Sequence, residues 1–142
     1  MIADFGDLRV WQLGMDLVED VYRLTATFPS HEAYGLTSQM RRAAVSVPSN
    51  IAEGHARRHL REYMHHLSIA QGSLAELHTQ SLIAERLSYA EHDSIAAVTD
   101  KIEALRRQLH ALRNALSAKA GLVKEPDSEL YIYGSEVGAV DS

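Results

Sequence analysis

Apolar residues recur at alternating spacings of three and four along four stretches of this chain, the pattern of amphipathic helices. In the first stretch Val10, Leu13, Leu17, Val21, Leu24 and Phe28 form one stripe. Trp11, Met15, Val18 and Tyr22 form a second, about 100° round the helix by its 3.6-residue turn. Arg9, Gln12, Asp16, Glu19, Asp20 and Arg23 fill the polar side. The spacing predicts a helix from about Asp7, read as its N-cap, to Phe28, just before Pro29. Two seams predict two neighbours, as in a bundle.

The second helix is predicted to begin between Gly35 and Ser38, with Met40, Ala44, Val47 and Ile51 as its core stripe. Val45, Pro48 and Ala52 add an adjacent apolar patch. Pro48 lacks a backbone donor and crowds the preceding turn, which costs ~3 kcal/mol inside a helix. The spacing nevertheless runs through it without a phase jump, so the expectation is one kinked helix rather than two short ones. Gly54 is read as its stop.

The third helix is predicted from His59 to Leu87, with Tyr63, Leu67, Ala70, Leu74, Leu77, Ser81 and Ala84 on one face. Ile69, Ile83 and Leu87 lie on a different side, and an apolar second side suggests contact with another subunit. Gly72 suggests close approach by a neighbouring helix. The fourth helix runs from Asp93 or Ser94 to Lys119 on Ile95, Val98, Ile102, Leu105, Leu109, Leu112 and Leu116. Ala97, Ala104, Ala111 and Ala118 recur on another side of it, either as a close-packing stripe or simply as good helix formers. Short connections make consecutive helices antiparallel. The expected fold is all-α, an up-down-up-down four-helix bundle over residues 1–120 with a proline-kinked second helix. Residues 121–142 read as an acidic C-terminal tail, flexible or docked through Leu130-Tyr131-Ile132-Tyr133.

A length of 142 residues suits one such domain. The sequence has no cysteine, which excludes disulfide and thiolate chemistry and suits a reducing, cytoplasmic location. The acidic N-terminus and the lack of a long apolar run argue against secretion and membrane spanning. The net charge of −5 argues against a protein that coats nucleic acid over its whole surface.

The charge is uneven, however. Residues 40–61 carry five of the fourteen Lys and Arg residues and a single acid, Glu53. Arg41, Arg42, Arg57, Arg58 and Arg61 are therefore the candidate nucleic-acid contacts, because the planar guanidinium fork matches phosphate oxygens. The competing reading is a solvated helix face with Glu53–Arg57 and Arg58–Glu62 as i,i+4 pairs worth ~0.2–0.5 kcal/mol each. Pro48, Asn50, Glu53 and Gly54 form the structural motif of the same segment, in which Asn50 and Glu53 cap the backbone near the kink or tie the helix to a neighbour. His55/His59 and Glu62/His66 sit four apart, but no H-E-x-x-H occurs, and surface histidines are the expectation rather than a metal site. Ser46, Ser49 and Ser73 have no arranged base and no phosphate-binding glycine loop is present, so neither catalysis nor a cofactor is expected.

Several of these motifs occur together in one family. D-L-R-V-W-Q, the F-P-x-x-E-x-Y-G-L-x-x-Q pattern from Phe28 to Gln39, R-R-A-A-V-S-V-P-S-N-I-A-E-G from Arg41 to Gly54, and I-A-Q-G-S-L-A-E-L from Ile69 to Leu77 resemble the 23S rRNA intervening-sequence family, often labelled S23 ribosomal proteins. The resemblance covers about residues 7–118. It implies a four-helix bundle that assembles into a homopentameric barrel. It also implies kinship with the accessory protein of diversity-generating retroelements, which works with a reverse transcriptase and binds nucleic acid. The sequence departs at His55, where an aromatic often follows E-G, and at His59, where a Ser usually caps the third helix. The expected function is RNA or DNA binding by a homo-oligomer through the junction of helices 2 and 3. The alternative is a protein-binding scaffold with no nucleic-acid contact.

Overall fold

The four stripes become four helices. The computed structural model describes residues 4–119 and 121, and these form α1 (Arg9–Thr25), α2 (Leu36–His55), α3 (Leu60–Arg86) and α4 (His92–Lys119). Short 3-10 turns at Phe5–Asp7 and Ser30–Glu32 precede α1 and α2, and no strand occurs among the described residues. None of the described helices is long and apolar enough to cross a membrane.

Most of the predicted core stripes is buried, while Leu13, Tyr63, Leu112 and Leu116 are half-buried. Met40, Ala44, Val47 and Ile51 of α2 have no exposed surface, and Leu67, Ala70, Leu77 and Ala84 of α3 match them. Leu17 and Val21 of α1 and Ile102, Leu105 and Leu109 of α4 complete the interior. Each large side chain so buried contributes ~1.5–3 kcal/mol relative to exposure. α2 packs against both α1 and α3. Lys101 of α4 pairs with Asp20 of α1, and His92 meets Glu85 across the α3–α4 turn at 2.6 Å. That turn closes α3 with a left-handed Ser88 (φ 62°), where the Tyr89 N–H reaches the Ala84 carbonyl at 2.9 Å.

α2 runs unbroken through Pro48, which is buried. The Pro48 ring packs against α1. A Cβ added to Gly14 would lie 3.3 Å from the Pro48 ring, so the glycine lets the two helices meet there.

Several expectations are corrected. Asp7 is not the N-cap of α1, because it is used in the 3-10 turn, which Asp4 caps by accepting the Gly6 N–H at 2.6 Å. Leu8 takes the cap position, with no side-chain bond. α1 ends at Thr25 rather than Phe28, where the Thr25 hydroxyl donates back to the Val21 carbonyl at 2.8 Å. Gly54 does not stop α2, which continues to His55 with Ala56 as its C-cap. Gly72 meets nothing within 4 Å, so among the described residues no neighbouring helix approaches it. The second seam of α1 is only partly covered: Met15 and Tyr22 are each 42% exposed, while Trp11 and Val18 are half-buried.

The chain divides into two units at the Leu112–Arg113 step, and the contacts above belong to the first. In the second, residues 113–119 are helical and Gly121 lies in a turn. The acidic tail beyond it, with Leu130-Tyr131-Ile132-Tyr133, lies outside the described residues.

Glu32 and Tyr89 lock the two ends of the α1–α2 connection. One Glu32 carboxylate oxygen accepts the Leu36 N–H at 2.8 Å, capping α2, and the other accepts the Tyr89 hydroxyl at 2.7 Å. Tyr89 also lies against Phe28, with ring centroids 5.4 Å apart. The Leu36 N–H, and after it Tyr89, hold the Glu32 carboxyl below the ordinary value of 4.5, and the Glu32 bond raises the Tyr89 phenol above 10.0. A lowered carboxylate contributes stability that is complete above its unfolded value and is lost as pH falls through the folded one. The Tyr89 contribution is complete below its unfolded value of 10.0 and is lost as pH rises through the raised folded one. Thermal melts across pH should therefore show Glu32→Gln less stable than the parent at neutral pH. The two should converge on acidification through the carboxylate range. A constant gap would place the effect elsewhere.

Candidate nucleic-acid interface

The α2–α3 junction displays three of the five predicted arginines. α2 terminates when the Ala56 N–H bonds the Ala52 carbonyl and the Arg57 N–H bonds the Gly54 carbonyl, each at 3.1 Å. The chain then extends at His59, whose carbonyl accepts the Glu62 and Tyr63 N–H groups at 3.1 Å to begin α3. Arg57, Arg58 and His59 are exposed on this short connection, and Arg61 is exposed in the first turn of α3. Arg57 donates to Glu53 at 2.7 Å, with both side chains about half exposed, so the pair is weak. Arg58 and Arg61 make no ion pair among the described residues. The Arg58–Glu62 pair does not form, because Arg58 lies in the junction rather than on a helix with Glu62.

His59 makes no side-chain cap bond, so the first N–H groups of α3 rely on solvent. His59→Ser should add on the order of 1 kcal/mol of stability, read as a higher Tm, while leaving the arginines in place. An unchanged Tm would mean the helix end is already satisfied.

Behind the arginines a polar ladder fastens α2 to α3. Ser73 donates to the Ser46 hydroxyl at 2.9 Å, and the Asn50 amide donates to the Ser46 carbonyl and hydroxyl at 2.9 and 3.0 Å. With that amide orientation the Asn50 oxygen accepts from His66 Nδ1 at 3.0 Å. His66 Nε2 then lies 3.8 Å from the Glu53 carboxylate that holds Arg57. Asn50 and Glu53 thus tie α2 to its neighbour. The ladder works only because the helices touch at Gly54, where an added Cβ would lie 2.8 Å from His66 Cβ and 3.0 Å from Tyr63 Cδ1. Tyr63 is half-buried here, and burial raises its phenol above the usual range. His55 packs edge-on against its ring at 5.8 Å. Among the described residues no three His, Asp or Glu side chains gather as a metal-binding group.

Arg41 and Arg42 belong to a different place. About 20 Å of helix axis separates Arg42 from the end of α2. Arg41 is turned inward: its Nε donates to the Thr25 hydroxyl at 2.8 Å, its Nη2 to the Tyr22 carbonyl at 3.4 Å, and its guanidinium lies 4.4 Å from the Tyr22 ring centre. It closes the C-terminal end of α1. Arg42, one residue on, is exposed and makes no ion pair or hydrogen bond among the described residues.

Two apolar surfaces flank these positions. Trp11, Met15 and Val18 of α1 and Val45, Pro48 and Ala52 of α2 line an open groove without a charged residue. On the outer side of α3, Ile69, Ile83 and Leu87 are 38%, 43% and 51% exposed.

Compared with known proteins, the chain matches the family model described as 23S rRNA-intervening sequence protein over residues 6–111. No curated protein matches it.

Proposed function

The chain belongs to the 23S rRNA-intervening sequence protein family, and on that premise we propose that it is a non-enzymatic, cytoplasmic homo-oligomer that binds RNA or DNA through Arg57, Arg58 and Arg61. The observation that carries the reading is the α2–α3 junction, where three exposed guanidinium groups face solvent with one weak carboxylate partner among them. A phosphate backbone supplies the missing counter-charge. The hydroxyls of Ser46 and Ser73 and the His66 ring are engaged with one another and with Asn50, which supports a role without catalysis.

Assembly is supported by the two uncovered apolar surfaces, which differ in shape and composition. A two-fold contact buries one self-complementary patch on each chain. A head-to-tail contact covers both and closes into a ring when the rotation allows. Gly72 lies on the stripe of Ile69 and Ile83 with open space above it, a place where a second chain can approach. Five copies is the number the family resemblance implies.

Filter binding of structured RNA and duplex DNA at two salt concentrations tests the proposal. Neutralising three phosphates per chain gives a log–log salt slope of about −2.7 on duplex DNA. Absent or salt-independent binding would favour the other reading, a scaffold whose apolar faces recruit a partner protein.

A further inference from the structure

We propose that the groove between the end of α1 and the start of α2 holds an unpaired nucleotide of a single-stranded nucleic acid, its base on Tyr34 and its phosphate on Arg42. This rests on the nucleic-acid reading above but uses a different site. Tyr22, Tyr34, Thr37, Arg41, Arg42 and Ser46 line the groove, and none of its lining residues is acidic, in a chain of net charge −5.

Tyr34 is 100% exposed. It is nonetheless displayed by an ordered turn: the Ala33 N–H bonds the Ser30 carbonyl at 3.1 Å, and the Gly35 N–H bonds the Glu32 carbonyl at 2.9 Å. The Glu32 side chain fixes the next residue, Leu36. An aromatic ring carried on an ordered backbone turn with both faces in water is open to stacking, and base stacking needs no particular sequence. Arg41, set by Thr25 and Tyr22, offers a second flat surface beside it. Arg42 brings an uncommitted guanidinium for the phosphate.

The adjoining groove shares Val45 with this one but carries no charge, so it suits the apolar face of a second copy. An apolar face laid over Arg42 would desolvate its charge with nothing to balance it. Duplex bases are already stacked on one another, so only a single strand can use Tyr34.

The test is fluorescence anisotropy of the full chain with a labelled oligouridylate and with an RNA duplex of equal length, alongside light scattering. Tyr34→Ala should weaken oligouridylate binding roughly 10-fold. Tyr34→Phe should leave it near the parent value, and duplex binding and assembly mass should not change. Wild-type protein that binds oligouridylate while Tyr34→Ala binds equally well overturns the groove alone. A fall in assembly mass on Tyr34→Ala also overturns it, since a second copy would then be the occupant. Wild-type protein that binds neither probe overturns the nucleic-acid reading and this site with it.

Discussion

Replacing Arg57, Arg58 and Arg61 together with alanine should lower duplex affinity roughly 10²–10³-fold at low salt, at ~1 kcal/mol or more per phosphate contact. The salt slope should flatten by about 2.7 per engaged chain. The fold should be untouched. Arg58 and Arg61 hold no partner among the described residues, and Arg57 has only the exposed Glu53 pair, whose loss costs less than ~1 kcal/mol. Unchanged helical circular dichroism with lost binding is the expected combination. Unchanged affinity would move the site away from the junction. Arg41→Ala should behave in the opposite way. It removes the guanidinium that bonds Thr25 and Tyr22, so it should lower Tm, and its effect on duplex binding should be small.

Gly54→Ala should destabilise the protein by about 1–3 kcal/mol, although alanine is the better helix former. The new methyl would sit 2.8 Å from His66 Cβ and 3.3 Å from the Tyr63 carbonyl, atoms anchored to the backbone of α3. Relief therefore requires α2 and α3 to part. That movement also stretches the Asn50–His66 and Ser46–Ser73 bonds, which bridge the same two helices. Chemical or thermal denaturation checks the effect. A variant as stable as the parent would mean the helices slide apart freely there.

The interior was legible because a period near 3.6 residues fixes which side chains share a face. Met40, Ala44, Val47 and Ile51 follow that period, and all four are fully buried. Continuity through Pro48 was legible for the same reason. The close approach of its ring to Gly14 was not, since that contact is made with another helix. Glu32 and Tyr89 are 57 positions apart, and no local pattern announces a bond between them. Gly54 looked like a terminator because glycine often ends helices, whereas here it admits the neighbouring chain segment. The five arginines could be counted but not sorted. A rotation of about 100° separates Arg41, folded onto Tyr22, from Arg42 in solvent. Arg57, Arg58 and Arg61 gather at the junction because the helix break places them there. The double seam of α1 pointed to two neighbours, yet one seam faces outward at Met15 and Tyr22.

Those uncovered seams are what the account turns on, and the mass of the full chain in solution probes them most directly. Multi-angle light scattering at tens of micromolar should give a particle near five times the 15.8 kDa chain mass. Val18→Glu, which places a charge in the uncharged groove, should reduce it to single chains. A wild-type particle of 15.8 kDa would contradict the account, because the apolar faces of α1, α2 and α3 would then stand in water without a partner.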